Sequence, residues 1–513
     1  AGVIEDDQTI CEGVIPAELT SATVATGDGA LTYQWKESVN GIAFTDIAGA
    51  TNETYTPAAL TQDTWYKRET TSTLNGTPCS EETNVIKVTV INFIAGSIGS
   101  DQTICSGTAP TNFTSVASSG DGVKAYQWQS STDDITYTDI AGATGATYTS
   151  PALTQDTYFK RVVTSTLNTV VCTDESNTIL VTVNNLDAGS IAADQTICEG
   201  SAPAAFTSVA ATADGAITYQ WQSSLDGVSY INITGATNET YTEGTLTQDT
   251  YFRRQATSTL NGVQCSEFSA AILVTVNNFS PGVISSDQVI CEGDTPAAFT
   301  SVAASGDFTS VAYQWYESTD DATYNIIAGA TNETYAPGVL TQDMWYKREA
   351  TATLNGFDCI EETASIKVTV NNFDPGSIGA DETICENTSP TALTSVTPTG
   401  DGTFTYKWYS STDNITFNVI PGAISETYAP GLLTQDMWYY REVTSTVGAK
   451  TCTEVTNTVA ITVNNFTAGV IEDDQTICEG VIPAELTSAT VATGDGALTY
   501  QWKESVNGIA FTD

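Results

Sequence analysis

The chain has 513 residues, 41% apolar and 9% aromatic, which is enough to build packed cores despite its low Lys and Arg content. Sixteen basic residues against 61 acidic ones give a formal charge of −45, which repels phosphate backbones and anionic lipid; nucleic acid and direct membrane insertion are set aside. Histidine is absent, which removes His-dependent triads, His metal sites and the usual near-neutral acid-base group.

The sequence repeats. Leu60-Thr-Gln-Asp-Thr-Trp-Tyr-Lys-Arg68 returns as Leu153 to Arg161, Leu246 to Arg254, Leu340 to Arg348 and Leu433 to Arg441, fixing a module of 93 or 94 residues. The modules are read as residues 1–94, 95–187, 188–280, 281–374 and 375–467, followed by a partial sixth, 468–513, identical to 1–46. That last piece stops before the strands it must pair with, as if a window had been cut from a longer array, and is not expected to fold alone. Junctions such as Val276 to Gly282 contain no flexible linker. An elongated, semi-rigid rod is expected, each bead roughly 40 Å long at about 3.3 Å per strand residue.

In the first module the predicted strands are Gln8–Cys11, Glu18–Ala25, Leu31–Glu37, Ala43–Ile47, Glu53–Thr56, Thr64–Thr71 and Val85–Ile91, with Gly27-Asp28-Gly29 turning between the second and third. No stretch keeps a helical period. The fold class is therefore all-β, a tandem array of seven-stranded immunoglobulin-like β-sandwich modules. On the strand after Leu60, alternation sends Tyr66, Arg68 and Thr70 to one face and Trp65, Lys67 and Glu69 to the other. The first face is taken as inward, because position 70 becomes Val163, Ala256, Ala350 and Val443 in the other copies. Trp35 recurs as Trp128, Trp221, Trp315, Trp408 and Trp502 while its neighbours vary, which makes it the core plug.

Eleven cysteines fall as two per module, 67 or 68 residues apart, with Cys478 left over. That regularity reads as a disulfide framework in an oxidising, extracytoplasmic setting, since zinc would need closer pairs and more ligands. Closing a loop of that size is expected to stabilise a module by roughly 4 kcal/mol in the chain-entropy model.

The series Ile-Cys-Glu-Gly, Tyr-Gln-Trp, Gly-Ala-Thr-x-x-Thr-Tyr and Leu-Thr-Gln-Asp-Thr-Tyr-Phe-Lys-Arg resembles the Ig-like repeats of giant cell-surface proteins from gliding Bacteroidetes, over the whole chain. The resemblance implies a type IX-secreted protein at the bacterial cell surface and a role in gliding motility or attachment. One departure bears on the fold. Antibody-type domains place the second bridging Cys two residues after the corner Tyr, whereas Arg68 stands two residues after Tyr66. The bridges are therefore expected to tie each module's first segment to the hairpin entering its last strand, as Cys11–Cys79, Cys105–Cys172, Cys198–Cys265, Cys291–Cys359 and Cys385–Cys452.

Three residue series are candidates for more than packing. Trp65, Tyr158, Tyr251, Trp345 and Trp438 put one large aromatic per module on the outward face, as candidate glycan contacts multiplied by avidity, against the plainer reading of cross-strand packing under a Lys stem. Arg68, Arg161, Arg254, Arg348 and Arg441 point inward, where an Arg needs ion pairs or carbonyls; a structural role is expected over a ligand grip. Asp28, Asp121, Asp214, Asp307 and Asp401 sit in turns, and Asp7, Asp101, Asp194, Asp287 and Asp381 follow the junctions; calcium is the cofactor they would bind, although turn chemistry also explains a lone Asp.

No lysine recurs through all copies, which argues against isopeptide staples. No module carries a catalytic constellation that the others lack. The reading is a non-enzymatic stalk or filament shaft of a surface adhesin, with further modules of the same chain, surface polysaccharide or other surface proteins as partners. A multivalent carbohydrate-binding array is the alternative, and lateral bundling of rods is a third class.

Overall fold

The computed structural model describes residues 1–513. The chain divides into two compact units: residues 1–195 with 201–275, and residues 196–200 with 276–513. Both are built from strands and turns alone.

The first module shows the plan. Its strands are β1 (Val3–Ile4), β2 (Gln8–Cys11), β3 (Ser21–Thr23), β4 (Ala30–Ser38), β5 (Thr45–Asp46), β6 (Thr64–Leu74), β7 (Thr77–Glu82) and β8 (Ile86–Ile91). One sheet runs β2-β8-β6-β4-β5, with β7 also paired to β6. The facing layer is smaller: β1 pairs with β3, and Leu19 bridges Tyr55. This is an immunoglobulin-like sandwich, and the chain is a tandem array of them.

Between the layers lies Trp35, fully buried among Ile4, Ile10, Leu19, Tyr66, Ile86, Val88 and Val90. Its indole Nε1 donates to the Asn52 carbonyl at 3.0 Å, so a large apolar ring is buried without orphaning its one donor. The other four full modules repeat the bond, Trp128 donating to Gly145, Trp221 to Asn238, Trp315 to Asn332 and Trp408 to Ser425. Strand β6 alternates as its residue types dictate: Tyr66, Arg68 and Thr70 are buried, and Trp65, Lys67 and Glu69 are half-buried.

In the repeated nonapeptide Leu60–Arg68, the aspartate caps the last strand. The Asp63 carboxylate accepts the Val90 amide at 2.8 Å, and Asp156, Asp343 and Asp436 do the same for Val183, Val370 and Val463. The Leu60 carbonyl accepts from Gly13 just beyond Cys11. The motif thus fastens the end of the last strand and the turn after the first.

Several expected strands differ in extent. Ala43–Ile47 shrinks to the two residues of β5, and Glu53–Thr56 is reduced to the single bridge at Tyr55. Strand β7 lies in the hairpin expected at Cys79 but outside the seven expected strands, because Thr-Pro-Cys-Ser-Glu-Glu shows no alternation; the structure exposes all six residues. Its signal lies in the turn: Asn75 and Gly76, at φ 50° and 81°, form the two-residue hairpin loop that Asn-Gly favours. In residues 468–513 two short pairings form, Phe466–Thr467 with Thr493–Gly494 and Val470–Ile471 with Ser488–Thr490, while Trp502 is 54% exposed where its counterparts are fully buried.

The disulfides correct the expected pairing. The bonds are Cys11–Cys172, Cys105–Cys265, Cys198–Cys359 and Cys291–Cys452, joining neighbouring modules, while Cys79 and Cys385 are free. The pairs Cys11–Cys79, Cys105–Cys172, Cys198–Cys265, Cys291–Cys359 and Cys385–Cys452 do not form. The reason is strand direction. Strand β2 runs parallel to β8, and Cys11 sits beside Ile91 at that strand's last residue. Cys79, by contrast, sits opposite Ser72 in the β6–β7 hairpin, twelve residues earlier on the same path. At about 3.3 Å per residue the two are roughly 40 Å apart, at opposite poles of one module. A disulfide needs Cα atoms within about 7 Å. The bonded pairs have Cα separations of 5.5 to 5.6 Å.

Candidate functional site at the module junctions

Each bridged junction brings the far pole of one module against the β6–β7-type hairpin of the next. Within the first unit, β9 (Phe93–Ile94) leaves the first module and pairs with Ser119–Gly120 of the second. Leu186–Asp187 pairs likewise with Thr212–Ala213.

The turn aspartates close this pairing. Asp121 accepts the Asn92 amide at 3.0 Å through its carboxylate and returns its own amide to the Asn92 carbonyl at 2.9 Å. Asp214 accepts from both the amide and the side chain of Asn185. Asp307 and Asp401 donate their amides to Asn278 and Asn372 in the second unit. The other acidic series caps strands inside modules: Asp7, Asp101, Asp194, Asp287 and Asp381 each accept, at 2.8 Å, an amide of the last strand.

A buried Asn–Ser pair sits under the bridges. Asn184, 1% exposed, donates to the Ser258 carbonyl at 3.2 Å and accepts from its hydroxyl at 2.6 Å. Asn371 and Ser445 repeat this in the second unit. At the hairpin tips, Asn168 reaches Thr9 at 3.1 Å, Asn261 reaches Thr103 at 3.1 Å and Asn355 reaches Thr196 at 3.2 Å. At the bridges Cys105–Cys265 and Cys198–Cys359, covalent bond, buried amide and tip contact therefore hold the same few residues together.

The inward arginines tie each module's first residues into its core. Arg161, fully buried, donates to the carbonyls of Ala95 at 2.8 Å, Ala146 at 2.6 Å and Val116 at 3.3 Å, and to the Ser115 hydroxyl at 2.5 Å. Burial pulls its guanidinium below the ordinary Arg value, an effect that Tyr126 opposes. Its Nε has no hydrogen-bond partner and its guanidinium carbon lies 5.0 Å from the Tyr126 ring. Arg68, Arg254, Arg348 and Arg441 reach Ala1, Ala188, Pro281 and Pro375 in the same way. Carbonyl capping is their role.

The family model described as a domain of unknown function, DUF8696, matches residues 1–92, 94–185, 187–278, 280–372, 374–465 and 467–513. The chain belongs to the DUF8696 family. A search of curated proteins finds no match to this sequence. Among solved structures, the chain is similar to the three N-terminal domains of the bacteriophage RB49 Highly Immunogenic Outer Capsid protein, at 14% identity over 54% of this chain and 99% of that one, with a TM-score of 0.28. It is similar to Sidekick-1 immunoglobulin domains 1-5 at 13% identity, covering 90% and 98% of the two chains with a TM-score of 0.19. The N-terminal eight Ig domains of Down Syndrome Cell Adhesion Molecule match at 14% identity, 97% and 75% coverage and a TM-score of 0.20.

The outward aromatics of the DUF8696 modules are half-buried. A Cβ added at Gly41, in the hairpin tip after β4, would lie 3.1 Å from the Trp65 indole nitrogen, and one at Gly227 would lie 3.3 Å from the Tyr251 ring. Lys87 lies 5.0 Å from the Trp65 ring centre and Lys367 lies 4.7 Å from that of Trp345. Tyr158 and Trp438 stand opposite Leu180 and Ala460 across the sheet. A lysine thus lies over the rings of Trp65 and Trp345 within their own modules.

The Asn–Ser pairs and hairpin-tip Asn–Thr contacts were not singled out in the sequence. Their trace is the recurrence of Asn184, Asn277 and Asn371 at the end of the last strand, with Ser258 and Ser445 opposite the first and third; Ile91 holds that place in the first module, and Ser165 donates to the Asp121 carbonyl instead. Among the three asparagines, Asn277 is the informative one. Ala352 takes the serine's place opposite Asn277, and Asn277 Oδ1 is left buried without a partner. Ala352 is itself fully buried. Restoring the hydroxyl with Ala352→Ser is expected to stabilise the fourth module and its junction by about 1 to 2 kcal/mol, because an orphaned acceptor gains its donor. Urea unfolding followed by hydrogen exchange over residues 276–371 checks it, and a loss of protection would refute it.

Proposed function

We propose that this chain is a non-enzymatic structural repeat region, the shaft of a bacterial cell-surface adhesin serving gliding motility or surface attachment, whose modules resemble the repeat region of the gliding adhesin SprB. The observation that carries the reading is the set of four bridges, each spanning a junction. Bridges so placed add covalent continuity between modules and leave every module the same. Disulfides also belong to an oxidising, extracellular setting, which the reading requires. A charge of −45 spread over repeated modules keeps neighbouring copies apart in solution. Further modules of the same chain are the immediate partners, and surface polysaccharide or another surface protein would be met by domains that the shaft carries. The reading includes no calcium and assigns the Asp121 and Asp214 carboxylates to backbone amides at the junctions.

The test is replacement. In the parent protein, these modules are exchanged for an equal number of unrelated Ig-like modules, and attachment of cells to a surface is measured. Attachment is retained if the modules serve as a shaft. Its loss, with the protein still displayed, would make the modules themselves the binding element and sink the proposal.

A further inference from the structure

Every bridged junction is crossed twice by covalent bonds, once by peptide and once by disulfide. The crossings alternate. One route runs from Cys11 through its bridge to Cys172, along the backbone to Cys198, through the next bridge to Cys359 and along the backbone to Cys385. The other runs along the backbone from Cys79 to Cys105, through its bridge to Cys265, along the backbone to Cys291 and through the last bridge to Cys452. The two routes share no atom. Where one crosses a junction by peptide, the other crosses by disulfide.

Each backbone stretch holds the last strand of one module, the junction and the first strands of the next, such as Val170–Glu175, Ile179–Asn184, Leu186–Asp187, Ser190–Ile191 and Gln195–Cys198. The segment between a module's own two cysteines, such as 105–172 with Trp128 and Arg161, lies on neither route.

We infer that the chain is a covalent ladder with two rails, and that tension runs along the rails while the module bodies serve as rungs. Strand residues rise about 3.3 Å each against a ceiling of about 3.6 Å, so a rail lengthens by only roughly a tenth in its strands before it is taut. Unfolding a rung releases no slack into a rail. Resistance to extension therefore rests on the bridges: a load entering at residue 1 joins one rail at Cys11 and leaves from the other at Cys452, so the shortest route crosses a single module body and the remaining cores stay largely unloaded, whatever the shaft attaches to.

Single-molecule stretching of the 513-residue chain by its two ends, with the free thiols blocked beforehand, tests this. Oxidised, the shortest covalent route from end to end holds about 165 residues and three bridges, against the full 513 when reduced, so reductant should lengthen the fully stretched chain about threefold. Cys105→Ser should leave the oxidised limit unchanged, because the other three bridges offer a route of equal length. Cys11→Ser combined with Cys291→Ser should add about 160 residues, or about 580 Å at 3.6 Å per residue. If Cys105→Ser instead adds about 67 residues, the bridges close within modules and the ladder is wrong. Non-reducing peptide mapping reads the same question without stretching: a fragment joining Cys11 to Cys172 supports the ladder, and one joining Cys11 to Cys79 overturns it.

Discussion

Replacing Arg161 by leucine is expected to destabilise the second module by about 3 to 5 kcal/mol, because the buried Ala95 carbonyl and the half-buried carbonyls of Val116 and Ala146 all lose their donor. Leucine restores apolar volume, so the loss is one of polar satisfaction more than of packing. Those three carbonyls come from the module's first residues, from the strand-like segment bridged to them and from the segment leading to the repeated nonapeptide, so one side chain ties its own strand to three segments of the facing layer. Arg161→Lys should recover little: a point charge on a flexible stem cannot span several acceptors as the planar guanidinium does. Amide exchange resolved by module in the 513-residue chain is the measurement. Exchange in the second module should accelerate in the leucine variant well beyond that in the fourth and fifth, and protection equal to the parent's would show the arginine to be dispensable.

That arginine was legible in the sequence because its requirement is met inside one module and recurs with the module's period. So were Trp35 and its copies, the alternation along β6 and the turns that mark an all-β chain. What spans two modules was hidden by the repetition itself. Cys11 is followed by a cysteine 68 residues on and by another 161 residues on, and in a periodic sequence both offsets are equally regular. Nothing in the spacing chooses between them; the choice comes from β2 running parallel to β8, which carries Cys11 to the pole where the next module begins. The Asn184–Ser258 pair was hidden for the same reason, since an asparagine at the end of a strand reads as turn chemistry until its partner in the next module is known. The capping role of Asp121 and Asp214 was hidden likewise, since it shows only once Asn92 and Asn185 are placed against them.

Cys172→Ser is expected to cost about 3 to 5 kcal/mol, and Cys79→Ser less than about 0.5 kcal/mol, although the two cysteines occupy the same place in successive modules. The first closes a span of 161 residues with Cys11; the second is free and exposed. In the chain-entropy model a loop of that size is worth about 5 kcal/mol, and the overlapping Cys105–Cys265 bridge already restricts part of it, which brings the expected figure down. Thermal unfolding of the oxidised chain, with amide exchange in the first two modules, separates the outcomes. Equal losses in the two variants would mean that each cysteine staples its own module. The asymmetry also bears on what a module is. Were each closed on itself, reduction would weaken five independent beads alike. With bridges across junctions, reduction uncouples neighbours while the Asn–Ser pairs and the Asn168–Thr9 contact still hold them by hydrogen bonds alone. The first effect of reductant should therefore appear as faster exchange at Thr9 to Cys11 and at the facing hairpin, ahead of any change at Trp35 or Trp128, because the cores are satisfied within their own modules and the junctions are not.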